Sequence, residues 1–192
     1  MSPNYPEDVV FLDLWQDKMF LGQEFLTWLW LASEIESRFP GPGGSEVEVR
    51  FEKKLTLEMG QGQTRSQVVC QNPDRDWTEA FVALGLDKKV VKGSLTIRTT
   101  AYELAFNLPA DTLAPQSVKV TMGAAFTEDD EPLSQAGKFL NQVALIASLR
   151  TILDHLFKDF LKTRLSSEWT TKELPRLRRF LEPMILDRKN QD

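Results

Sequence analysis

The sequence predicts an α+β fold, in which an antiparallel sheet of about five strands carries helices packed on one face and a long C-terminal helix. Apolar residues recur at helical spacing near both ends of the chain, whereas the middle alternates apolar and polar residues as half-buried strands do. The patterns follow the order helix, hairpin, helix, strands, helix, helix. This order is typical of helices that gather on one face of an antiparallel sheet.

Length and composition are those of one globular domain. The chain has 192 residues, of which 42% are hydrophobic and 27% are charged, so we expect residues 1–192 to fold as a single unit. The formal net charge is -5, which does not by itself favour nucleic acid or an anionic membrane. The charge is uneven, because residues 138–192 hold 11 basic and 7 acidic side chains. The C-terminal part is therefore the basic pole.

Localisation is predicted from what the chain lacks. Cys70 is the one cysteine, and the start MSPNYPEDVV has neither the basic residues nor the apolar run of a secretory signal. The most apolar stretch, residues 20–34, is interrupted by Gln23 and Glu24 before it reaches the length of a membrane span. We expect a cytoplasmic protein.

The first helix is predicted over FLGQEFLTWLWLASE and onward to Pro40, which ends it. Its helical face extends as far as Phe39. Leu26, Trp30 and Leu31 widen the apolar surface beyond half of the circumference. Such a helix needs more cover than one sheet face gives, which suggests a second copy or a separately encoded companion chain.

A hairpin follows this helix. The segment EVEVRFEKKLTLEMG alternates apolar and polar residues over its whole length, apart from Lys53, which lies on the apolar face or marks a bulge. The residues GQGQ then turn the chain into a partner strand, TRSQVVCQ. The pair is predicted to be antiparallel.

The middle of the chain adds a short helix and three more strands. NPDRDWTEAFVALG has Asn72 and Asp74 as capping candidates and ends at Gly85. The segments VVKGSLTIRT, AYELAFNL and QSVKVTM then alternate as strands do.

Two helices close the chain. The pattern from Lys138 to Arg164 predicts one long amphipathic helix. A shorter helix follows, capped at Ser166 or Ser167 and disturbed at Pro175.

Residues for catalysis are scarce. His155 is the one histidine, so neither a two-histidine metal site nor a cysteine and histidine pair close in sequence is available. The glycines of FPGPGGSE lack the ending of a phosphate loop. The acids TEDDEP lack the spacing of a calcium loop and are typical of a solvated segment. We therefore expect a protein that is not an enzyme and has no catalytic residues, metal or cofactor.

Basic side chains form the candidate binding set. Clusters of this size are usually solvated surface, and the alternative is contact with phosphates. The candidates for DNA binding are Lys53, Lys54, Lys88, Lys89, Lys92, Arg176, Arg178 and Arg179.

Three segments resemble the C-terminal half of the bacterial recombination-associated protein RdgC family, over residues of about 12–165. The first is FLGQEFLTWLW, with Leu26, Thr27 and Trp28 at its centre. The second, EVEVRFEKKLTLE, has an apolar run, an arginine and paired lysines before Leu-Thr. The third is LGLDKKVVKGSLTIRTTAYELAFNLPADTLAPQSVKV.

The resemblance implies an α+β protein that forms a ring-shaped homodimer, binds duplex DNA without sequence preference and restrains RecA-type recombinases on the nucleoid. It also implies that Lys53 and Lys54 lie near the dimer contact that closes the ring. This chain has no counterpart to the N-terminal half of that family, so a companion chain supplying such a half is the alternative partner. The competing interpretation is an interaction module that does not bind DNA itself.

Overall fold

The computed structural model describes residues 21–59, 65–71, 76–122 and 135–189. A short π-helical turn, Trp169–Glu173, precedes the last helix. The strands are β1 Arg38–Pro40, β2 Glu46–Met59, β3 Ser66–Gln71, β4 Lys89–Arg98, β5 Tyr102–Pro109 and β6 Gln116–Met122. The helices are α1 Leu21–Ile35, α2 Thr78–Gly85, α3 Gln135–Arg164 and α4 Leu174–Lys189.

The six strands form one antiparallel sheet, which confirms the predicted fold class. Its order is β1-β2-β4-β5-β6, and β3 pairs with the second half of β2 on the same edge as β1. The predicted hairpin is β2 and β3, with Leu55 opposite Cys70. The strand that the sequence did not indicate is β1, which has only three residues.

The first helix is shorter than predicted. It ends at Ile35, and Phe39 lies in β1 opposite Val47 instead of on the helix. Phe39 is buried in either position, so the apolar spacing did not reveal the change. The deciding contact is the pairing of β1 with β2, which no local pattern contains.

The core lies between the sheet and the helices. Val47, Val49, Phe51, Leu55 and Leu57 of β2 all point into it and are fully buried. Helix α1 packs on β2 and β4, and α2 packs on β2 and β3. Helices α3 and α4 pack against α1 from the far side, so the helices occupy one face of the sheet.

The wide apolar surface of α1 is covered within the chain. Leu26, Trp30 and Leu31 are completely buried. The Trp30 ring stacks on Phe81 of α2 with 5.1 Å between ring centroids. On the other side of α1, the ring of Phe160 in α3 packs against the ring of Phe25, with 5.6 Å between ring centroids. The surface of α1 therefore no longer indicates a companion chain.

The π-helical turn lies where the sequence predicted a disturbance. The turn ends immediately before Leu174 and Pro175. Its irregular hydrogen bonding accommodates Pro175, which has no backbone N–H to donate. Ser166 caps the helical segment as predicted, because its Oγ accepts a hydrogen bond from the backbone N–H of Glu168 at 3.2 Å. The predicted caps Asn72 and Asp74 lie outside the described residues.

Hydropathy along the helices bears on membrane insertion. Among the residues that the structure describes, none of the helices combines the length and the apolar character that crossing a bilayer requires.

Candidate functional site

The face of the sheet opposite the helices carries a polar groove, which we call the open-face groove. Its volume is about 570 Å³. The groove crosses β2, β4 and β5 and is bordered by β3. Its lining includes Lys54, Thr56, Glu58, Arg65, Lys92 and Asn107.

A bulge in β2 contains two consecutive exposed lysines. Phe51 pairs with Leu95 and Leu55 pairs with Gly93, so residues 52–54 of β2 lie opposite Ser94 alone. The sequence analysis left two alternatives for Lys53, a place on the apolar face or a bulge. The bulge is correct, because the register shifts between Phe51 and Leu55 and both Lys53 and Lys54 are exposed. Extra residues of this kind commonly re-aim side chains beside functional sites.

Several charges on the open face are paired with each other. Glu58 accepts hydrogen bonds from Nε of Arg65 at 2.8 Å and from Nε2 of Gln67 at 2.9 Å. The hydrogen bond and charge of Glu58 raise the pKa of Arg65 above its usual range. Arg50 forms a second ion pair, in which its guanidinium donates hydrogen bonds to Oε1 of Glu48. These pairs cancel much of the negative charge around the groove.

The lysines of the face have no such partners. Within the described residues, Lys53 and Lys54 form no ion pair. Lys92 is exposed, and its Nζ lies 3.4 Å from Oε1 of Gln116, a neutral amide. Lys54 and Lys92 therefore line the open-face groove, and the exposed Lys53 is next to Lys54 in sequence, without an ion pair to any of the described residues.

The floor of the groove supplies neutral donors and acceptors. Ser94 Oγ donates to Oδ1 of Asn107 at 2.6 Å, and the Thr56 side chain is buried beside Lys92. Hydroxyls, an amide and ammonium groups bind anions well but contain no nucleophile paired with a base. The arrangement is suited to holding an anionic ligand.

Reactive side chains elsewhere have structural surroundings. Burial raises the pKa of the Cys70 thiol, and the charge of Glu79 raises it further, so the thiolate is disfavoured. Nε2 of His155 lies 3.4 Å from Oδ2 of Asp159, one turn along the same helix. Across the described part of the chain, no three His, Cys, Asp or Glu side chains gather as a metal site would require.

The predicted basic set does not form one surface. Lys88 is buried, and its Nζ donates to Ser66 Oγ at 2.5 Å, so this lysine is not available to a phosphate. Its removal from the predicted set is a correction, since sequence alone placed it with exposed neighbours. Lys89 is half-buried and pairs in the sheet with Glu58.

The three arginines lie on the opposite side of the molecule. Arg176, Arg178 and Arg179 belong to α4, which packs on α1 and α2. Arg176 donates to Oε1 of Glu173 at 2.9 Å, and that same oxygen accepts the indole N–H of Trp28 at 2.8 Å. Arg176 also borders a second groove of about 510 Å³ that has charges of both signs. No single ligand surface joins these arginines to the lysines of β2 and β4.

The cations of the open face that the sequence prediction did not include are exemplified by Arg65 and Lys119. Arg65 borders the groove next to Glu58. Lys119 of β6 is exposed and pairs in register with Ala105. For Lys119 the strand phase contained the signal, because alternation puts this residue on the face opposite the core-facing Val118 and Val120. Neither residue lies in a basic cluster, which is the feature that the prediction used.

Comparison with protein-family models, with characterised proteins and with solved structures finds no match for this chain. The resemblance to the RdgC family, which rests on three short segments, stays a hypothesis. What the geometry establishes, for the described residues, is an antiparallel sheet whose helices pack on one face and whose other face carries a polar groove lined by Lys54 and Lys92.

Proposed function

We propose that this chain binds duplex DNA without sequence preference, through phosphate contacts from the open face of the sheet. The observation that supports the proposal is the group formed by Lys53, Lys54 and Lys92. All three are exposed, and none has an ion pair among the described residues. Lysines in this state can neutralise phosphates and so release the counterions condensed on the DNA, which is the source of sequence-independent affinity.

The absence of sequence preference follows from the shape of the face. A sheet with hydroxyl, amide and lysine side chains presents no helix to enter the major groove, where bases are distinguished. Contacts from lysine to phosphate fix position and orientation but carry no information about sequence. The groove is also too small to enclose a duplex, so the backbone would lie across it.

Affinity is expected to be weak. Glu52 and Asp111 lie on or beside the same face, and the chain has a net charge of -5. Three phosphate contacts predict a slope of about -2.7 for the logarithm of the binding constant against the logarithm of salt concentration. Dissociation constants on the order of 10⁻⁵ M at physiological salt are typical of binding without specific base contacts, and the affinity should rise as the salt concentration is lowered.

Fluorescence anisotropy with two unrelated duplexes of about 20 base pairs, across a salt series, tests the proposal. We expect equal affinities for the two duplexes. Replacing both Lys53 and Lys54 with Ala should flatten the salt slope by about 1.8, because two phosphate contacts are lost. Lys92→Ala should flatten it by about 0.9.

The matched control is Arg179→Ala, which removes an exposed cation from α4 and leaves the sheet unchanged. It should bind like the wild type. A loss in this variant equal to that of the lysine variants would transfer the site to the helical side. Absence of binding by the wild type at about 100 μM protein and low salt would reject the proposal.

The resemblance to the RdgC family extends the proposal to restraint of a RecA-type recombinase on the bacterial nucleoid. Coating of duplex DNA hinders its use as a partner in strand exchange. Strand-exchange assays should slow as this chain is added, and the double variant of Lys53 and Lys54 should have less effect at equal concentration. Equal inhibition by both proteins would separate that activity from DNA binding by the open face.

A further inference from the structure

The open-face groove has room for a small molecule. Its volume of about 570 Å³ falls in the range of sites that hold small ligands, whereas a duplex would lie across its mouth. Thr56 lines the groove and is only 6% exposed, so part of the lining lies below the surface of the sheet. Contacts between surface lysines and a DNA backbone therefore leave the interior of the groove unused.

Strand pairing places groups that bind phosphate next to one another in this groove. Thr56 pairs with Lys92 across β2 and β4, and Lys54 belongs to the bulge that lies opposite Ser94. Ser94 in turn pairs with Asn107 of β5 and donates to its Oδ1 at 2.6 Å. Directly paired residues have Cβ atoms about 5 Å apart. Two ammonium groups, two hydroxyls and an amide therefore line the groove from neighbouring positions of the sheet.

The acidic residues of the groove leave its lining positive. Oε1 of Glu58 lies 2.5 Å from the guanidinium of Arg65, so this carboxylate is already neutralised. The described lining contains three cations, Lys54, Arg65 and Lys92, against two anions, Glu58 and Asp111. The groove therefore favours an anion, although the whole chain has a net charge of -5.

The rest of the lining is suited to hydroxyl groups instead of a nucleic-acid base. Asp111 has an exposed carboxylate, and Gln23 and Gln67 have amides, so hydrogen-bond acceptors and donors are both present. Among the described residues that line the groove, none has an aromatic ring. Proteins commonly hold unpaired bases by stacking them on such rings. The lining thus favours a sugar or another polyol over a base.

We propose that the open-face groove binds a small phosphate monoester of a sugar or polyol, with the phosphate between Lys54 and Lys92. The Thr56 hydroxyl and the Asn107 amide donate to phosphate oxygens, and the hydroxyls of the ligand face Asp111. A monoester carries nearly two negative charges at neutral pH, whereas a phosphate within a DNA backbone carries one, so paired ammonium groups favour the monoester.

This ligand would regulate the same face, because it occupies two of the lysines assigned to DNA. That part of the inference rests on the proposed function, whereas binding of the monoester does not. A ligand of this size is expected to have a dissociation constant of about 0.1–1 mM. At constant ionic strength it should release duplex DNA over the same range of concentration.

NMR titration of the ¹⁵N-labelled chain with ribose 5-phosphate, to about 10 mM at constant ionic strength, tests the proposal. The shifts should saturate and concentrate in β2, β4 and β5. Ribose without the phosphate should not bind, and adenosine monophosphate should bind within about twofold of ribose 5-phosphate, because the groove offers the base no stacking partner. Saturation by ribose alone, or adenosine monophosphate that binds more than about tenfold tighter, would overturn the proposal.

Two threonines of the same face provide a matched pair of variants. Thr56→Val should weaken ribose 5-phosphate about tenfold, because a hydrogen bond to a charged group is lost. Thr96 of β4 is 9% exposed and is not among the described residues that line the groove. Thr96→Val should therefore bind like the wild type. Equal weakening by the two variants would assign the effect to the stability of the sheet and contradict the proposal.

Lys53→Ala separates this ligand from DNA. Lys53 is not among the described residues that line the groove, so the variant should bind ribose 5-phosphate normally while its DNA salt slope flattens by about 0.9. Thr56→Val should do the reverse and bind duplex DNA like the wild type. Loss of DNA binding with intact ligand saturation rejects the proposed function alone.

The opposite result, DNA binding without saturation by about 10 mM ribose 5-phosphate, overturns the ligand site alone. DNA ends are the other source of a phosphate monoester. Duplexes with and without 5′-phosphates should therefore bind alike. Tighter binding of the phosphorylated duplex would assign the phosphate site to DNA ends and overturn the proposal of a free ligand.

Discussion

At the scale of single residues, Gly22 shows how a close approach overrides helix propensity. Gly22 lies in the first turn of α1, where alanine would normally stabilise a helix by up to about 1 kcal/mol. A Cβ at this position would lie 1.9 Å from the carbonyl oxygen of Ala110. We predict that Gly22→Ala lowers the free energy of unfolding by about 1–3 kcal/mol, measured by urea denaturation.

Gly43→Asn is the control for this prediction. Gly43 has a φ of +68°, a Cβ added to it would meet nothing within 4 Å, and asparagine tolerates this backbone region. The free energy of unfolding should change by less than about 0.5 kcal/mol. If Gly22→Ala were as stable as the wild type, α1 would not be held against the turn at Ala110.

At the scale of elements, Thr27 joins α1 to the sheet through one hydroxyl. Its Oγ1 donates to the carbonyl of Gln23 at 2.8 Å and accepts the backbone N–H of Val90 at 3.0 Å. The second bond satisfies a buried donor of β4 beside an irregularity in its pairing with β2. The side chain therefore completes the hydrogen bonding of a strand to which it does not belong.

We predict that Thr27→Val destabilises the protein by about 1–3 kcal/mol, because it leaves the N–H of Val90 buried without an acceptor. Thr27→Ser retains the hydroxyl and should lose less than half of that amount. Urea denaturation of both variants measures the difference. Equal losses would assign the effect to packing of the methyl group instead of the hydrogen bond.

At the scale of the whole molecule, one hydrophobic cluster joins the sheet to the four helices. Trp28, Trp30, Trp77 and Trp169 all belong to it. We predict a single cooperative transition, in which tryptophan fluorescence and far-ultraviolet circular dichroism give the same midpoint of denaturation. Fluorescence that changed at a lower denaturant concentration would show that the helical layer separates from the sheet before the strands unfold.

Long-range contacts hold the helical layer together. Trp28 and Glu173 are 145 residues apart in sequence, and their hydrogen bond joins α1 to the π-helical turn. Arg164 at the end of α3 approaches the buried Glu24 of α1 at 3.3 Å and covers the ring of Trp169 at 5.1 Å. These contacts tie the last third of the chain to its first helix.

The sequence by itself determined the kind and order of most elements. Period-two alternation in β2 and helical spacing in α1 and α3 are local signals, because each records which side of an element meets the core. The same alternation predicted that the polar residues of β2 face away from the core. Only the pairing of β2 with β4 was needed in addition to place Lys54 and Lys92 on one face.

Only the tertiary structure decided which charges are available and which apolar surfaces are covered. It buried Lys88 against Ser66, separated Arg176 from the lysines and ended α1 at Ile35 by pairing β1 with β2. It also covered the wide face of α1 and left Phe139 and Leu140 of α3 exposed. Burial depends on neighbours distant in sequence, and no local pattern specifies them.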